Sequence, residues 1–177
     1  SGGVAFLKSP VGQMFHQFFG ENMLRADVCN AVDELGQLLD HTGPVAASER
    51  NAARIFNCDH LFFVTNGTST SNKIVWHSTV APGDIVVVDR NCHKSILHSI
   101  MMMGAIPVFL MPTRNNFGII GPIPLSEFQP DTIARKIAAH PFAKDVKTKP
   151  RILTITQSTY DGILYNVEKI KEMLGDN

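Results

Sequence analysis

The chain has 177 residues, which suits a single domain, and 44% of them are hydrophobic, which is enough for a packed core. Its 16 basic and 16 acidic residues cancel, so neither nucleic acid nor a membrane surface is a predicted partner, and no apolar run reaches the roughly 18 residues of a membrane span. The cysteines, Cys29, Cys58 and Cys92, fit neither a metal-site spacing nor a disulfide framework, and the histidines are scattered, which predicts a cytoplasmic protein without a metal site.

The first part of the chain is predicted to be mainly helical. The pattern predicts a short aromatic-rich helix over Pro10–Phe19 and a second short helix near Glu34–Leu39. Thr42-Gly43-Pro44 predicts the end of the second helix. Ser48 is the predicted cap of a further helix over Glu49–Phe56, which has an apolar face.

From residue 61 the chain alternates between strand and helix patterns. Ile85–Val88 is a run of β-branched residues, which indicates a strand that is buried on both faces. Strands joined by helices of this length form parallel βαβ units, so we predict an α/β fold with a mostly parallel sheet and helices on both faces. The predicted strands are Leu61–Thr65, Ile85–Val88, Ile106–Met111 and Arg151–Thr156, and the predicted helices are Ser69–Val80, Lys94–Met103, Pro130–Ala139 and Asn166–Leu174.

Three loops should meet at one edge of this sheet. In open parallel sheets, ligands bind outside the carboxyl ends of the strands. The loops that follow predicted strands at that edge are Asn66–Ser69, Asp89–Lys94 and Gln157–Gly162. We therefore expect these loops to form a binding site.

The first loop has the composition of a phosphate site. Gly67 allows the backbone to approach a ligand closely, and Thr68 and Ser69 add hydroxyl donors at the start of a helix. The first N–H groups of a helix lack intrahelical partners and carry the positive end of the helix dipole. The alternative is an ordinary helix cap, since Ser and Thr favour that position. The loop is neither a nucleotide P-loop, which needs a Gly before Lys73, nor a Gly-x-Gly-x-x-Gly dinucleotide turn.

The other two loops offer an imidazole and hydroxyl groups. His93 could present its flat face to a bound aromatic ring or act as an acid or base, although capping the next helix is the simpler role. Lys94 could form a Schiff base with a carbonyl cofactor, but a solvated lysine on a helix is the commoner case. Ser158 could donate to a ligand oxygen, whereas the nearby Asp161-Gly162 is also typical of a purely structural turn.

Several runs of residues, in order along the chain, resemble those of one enzyme family. The runs are Leu38 to Pro44, Phe63 to Lys73, Asp89 to Ser95, Pro112 to Asn115, Gly118 to Gly121, Thr159 to Gly162, and Tyr165-Asn166. They make nearly the whole chain similar to the bacterial pyridoxal-phosphate-dependent ornithine/lysine/arginine decarboxylases. The resemblance implies the aspartate-aminotransferase fold (fold type I) and pyridoxal 5′-phosphate as cofactor. It also implies that Thr68 and Ser69 bind the cofactor phosphate, that His93 stacks on the pyridine ring, and that Ser158 is a weaker candidate for a cofactor contact. Gly67, which allows close approach of the backbone, completes the predicted cofactor-binding residues.

The resemblance also predicts where the chain belongs in a complete enzyme. The family's Schiff-base lysine lies in a Ser-x-His-Lys motif, and its ring-nitrogen aspartate lies in an Asp-x-Ala-Trp-like motif, neither of which is in this sequence. We therefore expect a central fragment. Residues 1–45 would be a linker or interface segment, and residues 46–177 would be an incomplete N-terminal part of the large, cofactor-binding domain.

The activity implied for the complete enzyme is removal of the α-carboxylate of a basic amino acid, which gives the amine and CO2. Lysine or arginine is favoured over ornithine as the substrate, and the complete enzyme is expected to be a homodimer or a larger homo-oligomer. Two alternatives stay open. One is another fold type I enzyme, such as an aminotransferase or an aldolase, and the other is a non-catalytic interface module in which Met14–Phe19 forms an exposed patch.

Overall fold

The computed structural model describes residues 4–26 and 33–175, and Cys29 lies outside these ranges. The described residues divide into two compact units at the junction between Phe63 and Val64. The first unit contains α1 (Val4–Lys8), α2 (Pro10–Phe19), α3 (Glu21–Ala26), a 3-10 turn (Asp33–Leu35) and α4 (Gly43–Phe56). The second unit contains α5 (Thr68–Thr79), β1 (Ile85–Asp89), α6 (Lys94–Met103), β2 (Ile106–Leu110), a 3-10 turn (Leu125–Phe128), α7 (Pro130–Ala139), β3 (Ile152–Thr154) and α8 (Val167–Leu174).

A parallel sheet with strand order β2-β1-β3 forms the centre of the second unit. Ile85 pairs with Ile106 of β2, and Val86 pairs with Ile152 of β3. All five residues of β1 are buried, as expected of a β-branched strand in the middle of a parallel sheet. The predicted parallel sheet is therefore confirmed.

Helices cover both faces of this sheet, because successive side chains of a strand point to opposite faces. On one face, Val86 and Val88 pack in a cluster with Trp76 of α5 and with α6. On the other face, Val87 packs in a cluster with Ile133 of α7 and with α8. The predicted α/β architecture is thus confirmed on both faces.

Most of the predicted helices have the expected bounds. Helices α2, α6 and α7 match the prediction, and α5 and α8 differ from it by one residue at one or both ends. Ser9 caps α2 because its Oγ accepts the N–H of Gly12 at 3.0 Å. Gly104 ends α6 in the left-handed conformation, with φ 62°.

The predicted strand over Leu61–Thr65 is wrong. Residues 61–64 have no regular secondary structure, and Thr65-Asn66 form a turn. In the first unit, the N–H of Phe63 donates to Glu49 Oε1 at 2.9 Å, so a carboxylate takes the place that a neighbouring strand would occupy. A backbone N–H that is satisfied in this way does not join a sheet ladder.

The helix predicted over Glu49–Phe56 begins earlier, at Gly43. Thr42 occupies the cap position that was predicted for Ser48, and its backbone is extended, with φ −112° and ψ 167°. Pro44 lies in the first turn of α4, where the missing N–H of a proline would have no intrahelical acceptor anyway. A proline in this position starts a helix, so the helix end predicted at Thr42-Gly43-Pro44 is wrong.

Two further elements are shorter than predicted. The helix expected near Glu34–Leu39 is replaced by the 3-10 turn over Asp33–Leu35. Strand β3 ends at Thr154, before the predicted end. The N–H of Thr156 donates to Asp89 Oδ2 at 3.3 Å, so the chain leaves the ladder to bind a side chain at the sheet edge.

Candidate functional site

A cavity of about 730 Å³ is lined by residues that follow the carboxyl ends of β1 and β3. Its lining comes from residues 91–94, from Thr156 and Ser158–Asp161, and from Ile120. The volume lies within the range of small-molecule sites in proteins. The second and third of the loops that were predicted to converge therefore meet at one cavity.

Asp89 joins the two loops that line this cavity. It is the last residue of β1 and is 1% exposed. Its Oδ1 accepts the N–H of Asn91 at 2.7 Å, and its Oδ2 accepts the N–H of Thr156 at 3.3 Å. Hydrogen bonds to a carboxylate are among the stronger ones in proteins, so this buried group holds both cavity walls by their backbones.

His93 lies at the cavity wall and caps α6. Its Nδ1 accepts the N–H of Ser95 at 3.2 Å and lies 2.9 Å from Ser95 Oγ. Asn72 of α5 donates from Nδ2 to the same hydroxyl oxygen at 2.8 Å. The simpler role considered for His93, helix capping, is therefore present, and the ring itself stays exposed beside the cavity.

The start of α5 is an open helix terminus. Gly67 occupies the cap position with φ 84° and ψ 170°, which residues with a Cβ adopt only under strain. The exposed Thr68 and Ser69 are the first two residues of the helix, and no side chain of the described residues caps this end. These three residues lie outside the cavity lining, but Asn72, which bonds to Ser95, is one helical turn further along α5.

Three other side chains at the cavity carry reactive or polar groups. Burial, together with the nearby charge of Asp89, raises the pKa of the Cys92 thiol, so the thiol stays protonated and is a weak nucleophile at neutral pH. Lys94 is exposed at the first position of α6. Ser158 is exposed and lines the cavity. It forms an isolated antiparallel bridge with Leu164, across the turn that was predicted from Asp161-Gly162.

The described residues offer neither a metal site nor a membrane-spanning helix. Within residues 4–26 and 33–175, no three or more His, Cys, Asp or Glu side chains are grouped so that they could hold a metal ion. Across the same ranges, none of the helices combines the length and the apolar character needed to cross a bilayer. Cys58 and Cys92 are free thiols.

Three residues that support the site, Asp89, Asn72 and Ser95, have no role predicted from the sequence. Asp89 directly follows a buried apolar run, which is a signal for a functional carboxylate at a strand end. Asn72 lies inside a helix, where asparagine is unfavourable unless its amide has a partner. The partner of Asn72, Ser95, is 23 residues away, and Thr156 is 67 residues from Asp89, so only the packed fold identifies them.

Comparison with known proteins gives one consistent result. The family model described as "Orn/Lys/Arg decarboxylase, major domain" matches residues 1–177. Lysine decarboxylase LdcA of Pseudomonas aeruginosa is 65% identical over 176 residues, which are 99% of this chain and 23% of that protein. The biodegradative arginine decarboxylase of Escherichia coli K12 is 45% identical over 174 residues, which are 98% of this chain and 23% of that protein.

Solved structures have the same fold as this chain. The structure of lysine decarboxylase A from Pseudomonas aeruginosa superposes with a TM-score of 0.88 at 65% identity, covering 99% of this chain and 23% of that one. The constitutive lysine decarboxylase of E. coli gives a TM-score of 0.86 at 51% identity, covering 98% of this chain and 24% of that one. The chain spans about a quarter of the length of the relatives it matches. Because the family model matches the whole sequence and relatives of this similarity align along it, the chain belongs to the Orn/Lys/Arg decarboxylase family.

Proposed function

We propose that this chain is part of a pyridoxal-phosphate-dependent decarboxylase that acts on a basic amino acid. The term full-length protein is used below for a protein of the relatives' length that contains this chain. Membership of a decarboxylase family supports this reaction over that of an aminotransferase or aldolase. Lysine is the favoured substrate, because a lysine decarboxylase is 65% identical to this chain, compared with 45% for an arginine and 40% for an ornithine decarboxylase. The cysteine composition further supports a cytoplasmic location.

The start of α5 supports the proposed phosphate site. The first N–H groups of the helix point out of its end, and the helix dipole adds partial positive charge there. A Cβ built on Gly67 would meet nothing within 4 Å, so the space in front of the helix is open to a ligand. Exposed N–H groups and the hydroxyls of Thr68 and Ser69 fit a phosphate group, because all of them can donate to its oxygens.

One hydrogen bond links α5 to the start of α6, next to the His93 side of the cavity. Asn72 lies about 6 Å along the helix axis from Thr68, given the rise of an α-helix. It bonds to Ser95, two residues from His93. A ligand with its phosphate at α5 and its ring at His93 would therefore have both anchors on neighbouring, hydrogen-bonded helices. The observation that carries the proposal is that the open start of α5 and the exposed imidazole of His93 belong to neighbouring helices joined by the Asn72–Ser95 hydrogen bond.

Each residue of the site has a proposed role in holding the cofactor. Gly67, Thr68 and Ser69 bind the phosphate, and the flat face of His93 stacks on the pyridine ring and excludes water from that side. Ser158, on the loop that follows β3, is a secondary contact, and Asp89 binds the backbones of both loops. When bound, pyridoxal phosphate supplies an electron-withdrawing ring that stabilises the negative charge left by the departing CO2.

Exposed apolar residues of α2 support an added role in assembly. Val11, Met14 and Phe18 are 74%, 71% and 82% exposed. Apolar side chains that stand out of a helix are typical of surfaces that bind another chain. The full-length protein is therefore proposed to form a homodimer or a larger homo-oligomer, and the interface role accompanies the catalytic one.

The experiment that tests the function uses the purified full-length protein, loaded with pyridoxal phosphate and assayed for CO2 release. L-Lysine, L-arginine and L-ornithine are compared at matched concentrations, and lysine should give the highest kcat/KM. A higher value for arginine or ornithine would correct the substrate. If none of the three amino acids released CO2, the proposed activity would be rejected.

A further inference from the structure

We propose that Asn72 and Ser95 are positioning residues that hold the His93 imidazole in one orientation and one tautomer. This inference rests on the proposed function, since it concerns the ring that is proposed to stack on the cofactor. Neither residue has to touch the cofactor, because both act through His93.

The direction of the hydrogen bonds follows from one backbone group. The N–H of Ser95 can only donate, so Nδ1 of His93 accepts that bond, at 3.2 Å, and carries no proton. Ser95 Oγ, 2.9 Å from the same nitrogen, must then donate its own proton to Nδ1. The hydroxyl oxygen is left as an acceptor, and the Nδ2 of Asn72 donates to it at 2.8 Å. The three residues form a chain of donors that runs from α5 to the imidazole.

This arrangement defines both the proton position and the plane of the ring. A neutral imidazole whose Nδ1 accepts hydrogen bonds carries its proton on Nε2. The terminal torsion of a histidine side chain is broad when nothing holds it, so two donors on one ring edge restrict its rotation. A ring fixed in this way presents the same face to the cavity at all times, which is what stacking requires.

The burial of the two residues shows that the network is an integral part of the packed helices. Ser95 is 2% exposed, and Asn72 is half-buried where α5 packs on α6. A buried hydroxyl or amide without a partner is destabilising, so each of them depends on the other. The network also joins the helix that begins at the proposed phosphate anchor to the residue beside the proposed ring anchor.

The test measures cofactor binding in the full-length protein. Ser95→Ala removes the hydroxyl and keeps the backbone N–H, and Asn72→Ala removes the donor to that hydroxyl. Both should weaken the affinity for pyridoxal phosphate about threefold to tenfold, the range for one ordinary hydrogen bond, and both should change the visible circular-dichroism band of the bound cofactor. Ser99→Ala is the matched control, because Ser99 is also fully buried on α6 but donates to the Ser95 carbonyl, at 2.9 Å. This control should leave both readouts unchanged.

A second background separates positioning from a general structural effect. In His93→Phe, the ring has no nitrogen to hold, so Ser95→Ala and Asn72→Ala should produce no further change in affinity or in the dichroism band. The same loss in both backgrounds, or no loss in the wild-type background, would overturn the positioning role. If His93→Ala leaves both readouts unchanged, the stacking assignment fails and the positioning role falls with it. If His93→Ala changes the readouts but Ser95→Ala and Asn72→Ala do not, the stacking assignment stands and only the positioning role is rejected.

Discussion

Replacing both Thr68 and Ser69 by alanine in the full-length protein should weaken the binding of pyridoxal phosphate without abolishing it. Each hydroxyl at this open helix start is proposed to donate to a charged phosphate oxygen. At about 1–2 kcal/mol for each lost donor, the double variant should lose about 2–4 kcal/mol of binding free energy. Since 1.4 kcal/mol is a factor of ten, the dissociation constant should rise about 30-fold to 700-fold. The helix N–H groups remain, so some phosphate affinity should survive.

The assay is a titration of the cofactor-free protein with pyridoxal phosphate and, in parallel, with pyridoxal, which lacks the phosphate. Pyridoxal should bind the wild type and the double variant equally. Thr79→Ala is the control at the other end of α5, where the hydroxyl donates to the Val75 carbonyl at 2.7 Å. An unchanged affinity for pyridoxal phosphate in the double variant would refute the phosphate site, and an equal loss for pyridoxal would mean that the substitutions damage the fold.

Three further predictions concern the cavity residues. His93→Phe should retain more decarboxylase activity than His93→Ala, because a flat aromatic face survives, and an equal loss in the two variants would show that the ring nitrogens are needed. After borohydride reduction of the cofactor-loaded full-length protein, peptide mapping should find none of this chain's nine lysines modified. Modification of any of the nine would contradict this, and Lys94 is the one to examine first because it is exposed at the cavity. Burial raises the pKa of Cys92, so iodoacetamide should label it more slowly than the exposed Cys58, and its labelling should keep rising with pH above the usual thiol range of about 8–9. Faster labelling of Cys92 at neutral pH would show that this thiol is ionised.

Elements that depend on neighbouring residues could be predicted from the sequence. The β-branched run at Ile85–Val88 requires burial on both faces, and it forms the central strand β1. Helix α6 ends at Gly104, where glycine adopts the left-handed conformation at little cost. The alternation of strand and helix then fixes a parallel sheet, and this in turn predicts that the loops after β1 and β3 meet at its edge.

Features that depend on distant residues could not be predicted. Residues 61–64 have the apolar pattern of a strand, but the carboxylate of Glu49 binds the N–H of Phe63, so no ladder forms there. The role of Asn72 depends on α5 packing against α6, which no local pattern contains. For His93, the sequence left capping and ring stacking as alternatives, whereas the structure shows a capping Nδ1 and an exposed ring that is free for a second contact.

The carboxylate of Asp89 accepts two hydrogen bonds, and both come from backbone N–H groups, those of residues 91 and 156. These contacts therefore do not depend on which side chains the two positions carry. Any amino acid except proline could stand at either position and still supply its N–H. The spacing of the two cavity walls therefore depends on one carboxylate, whereas the side chains that face the cavity are set by other positions in the loops. Substitutions that change the shape of the cavity can therefore accumulate in those loops while the two backbone contacts of Asp89 are kept.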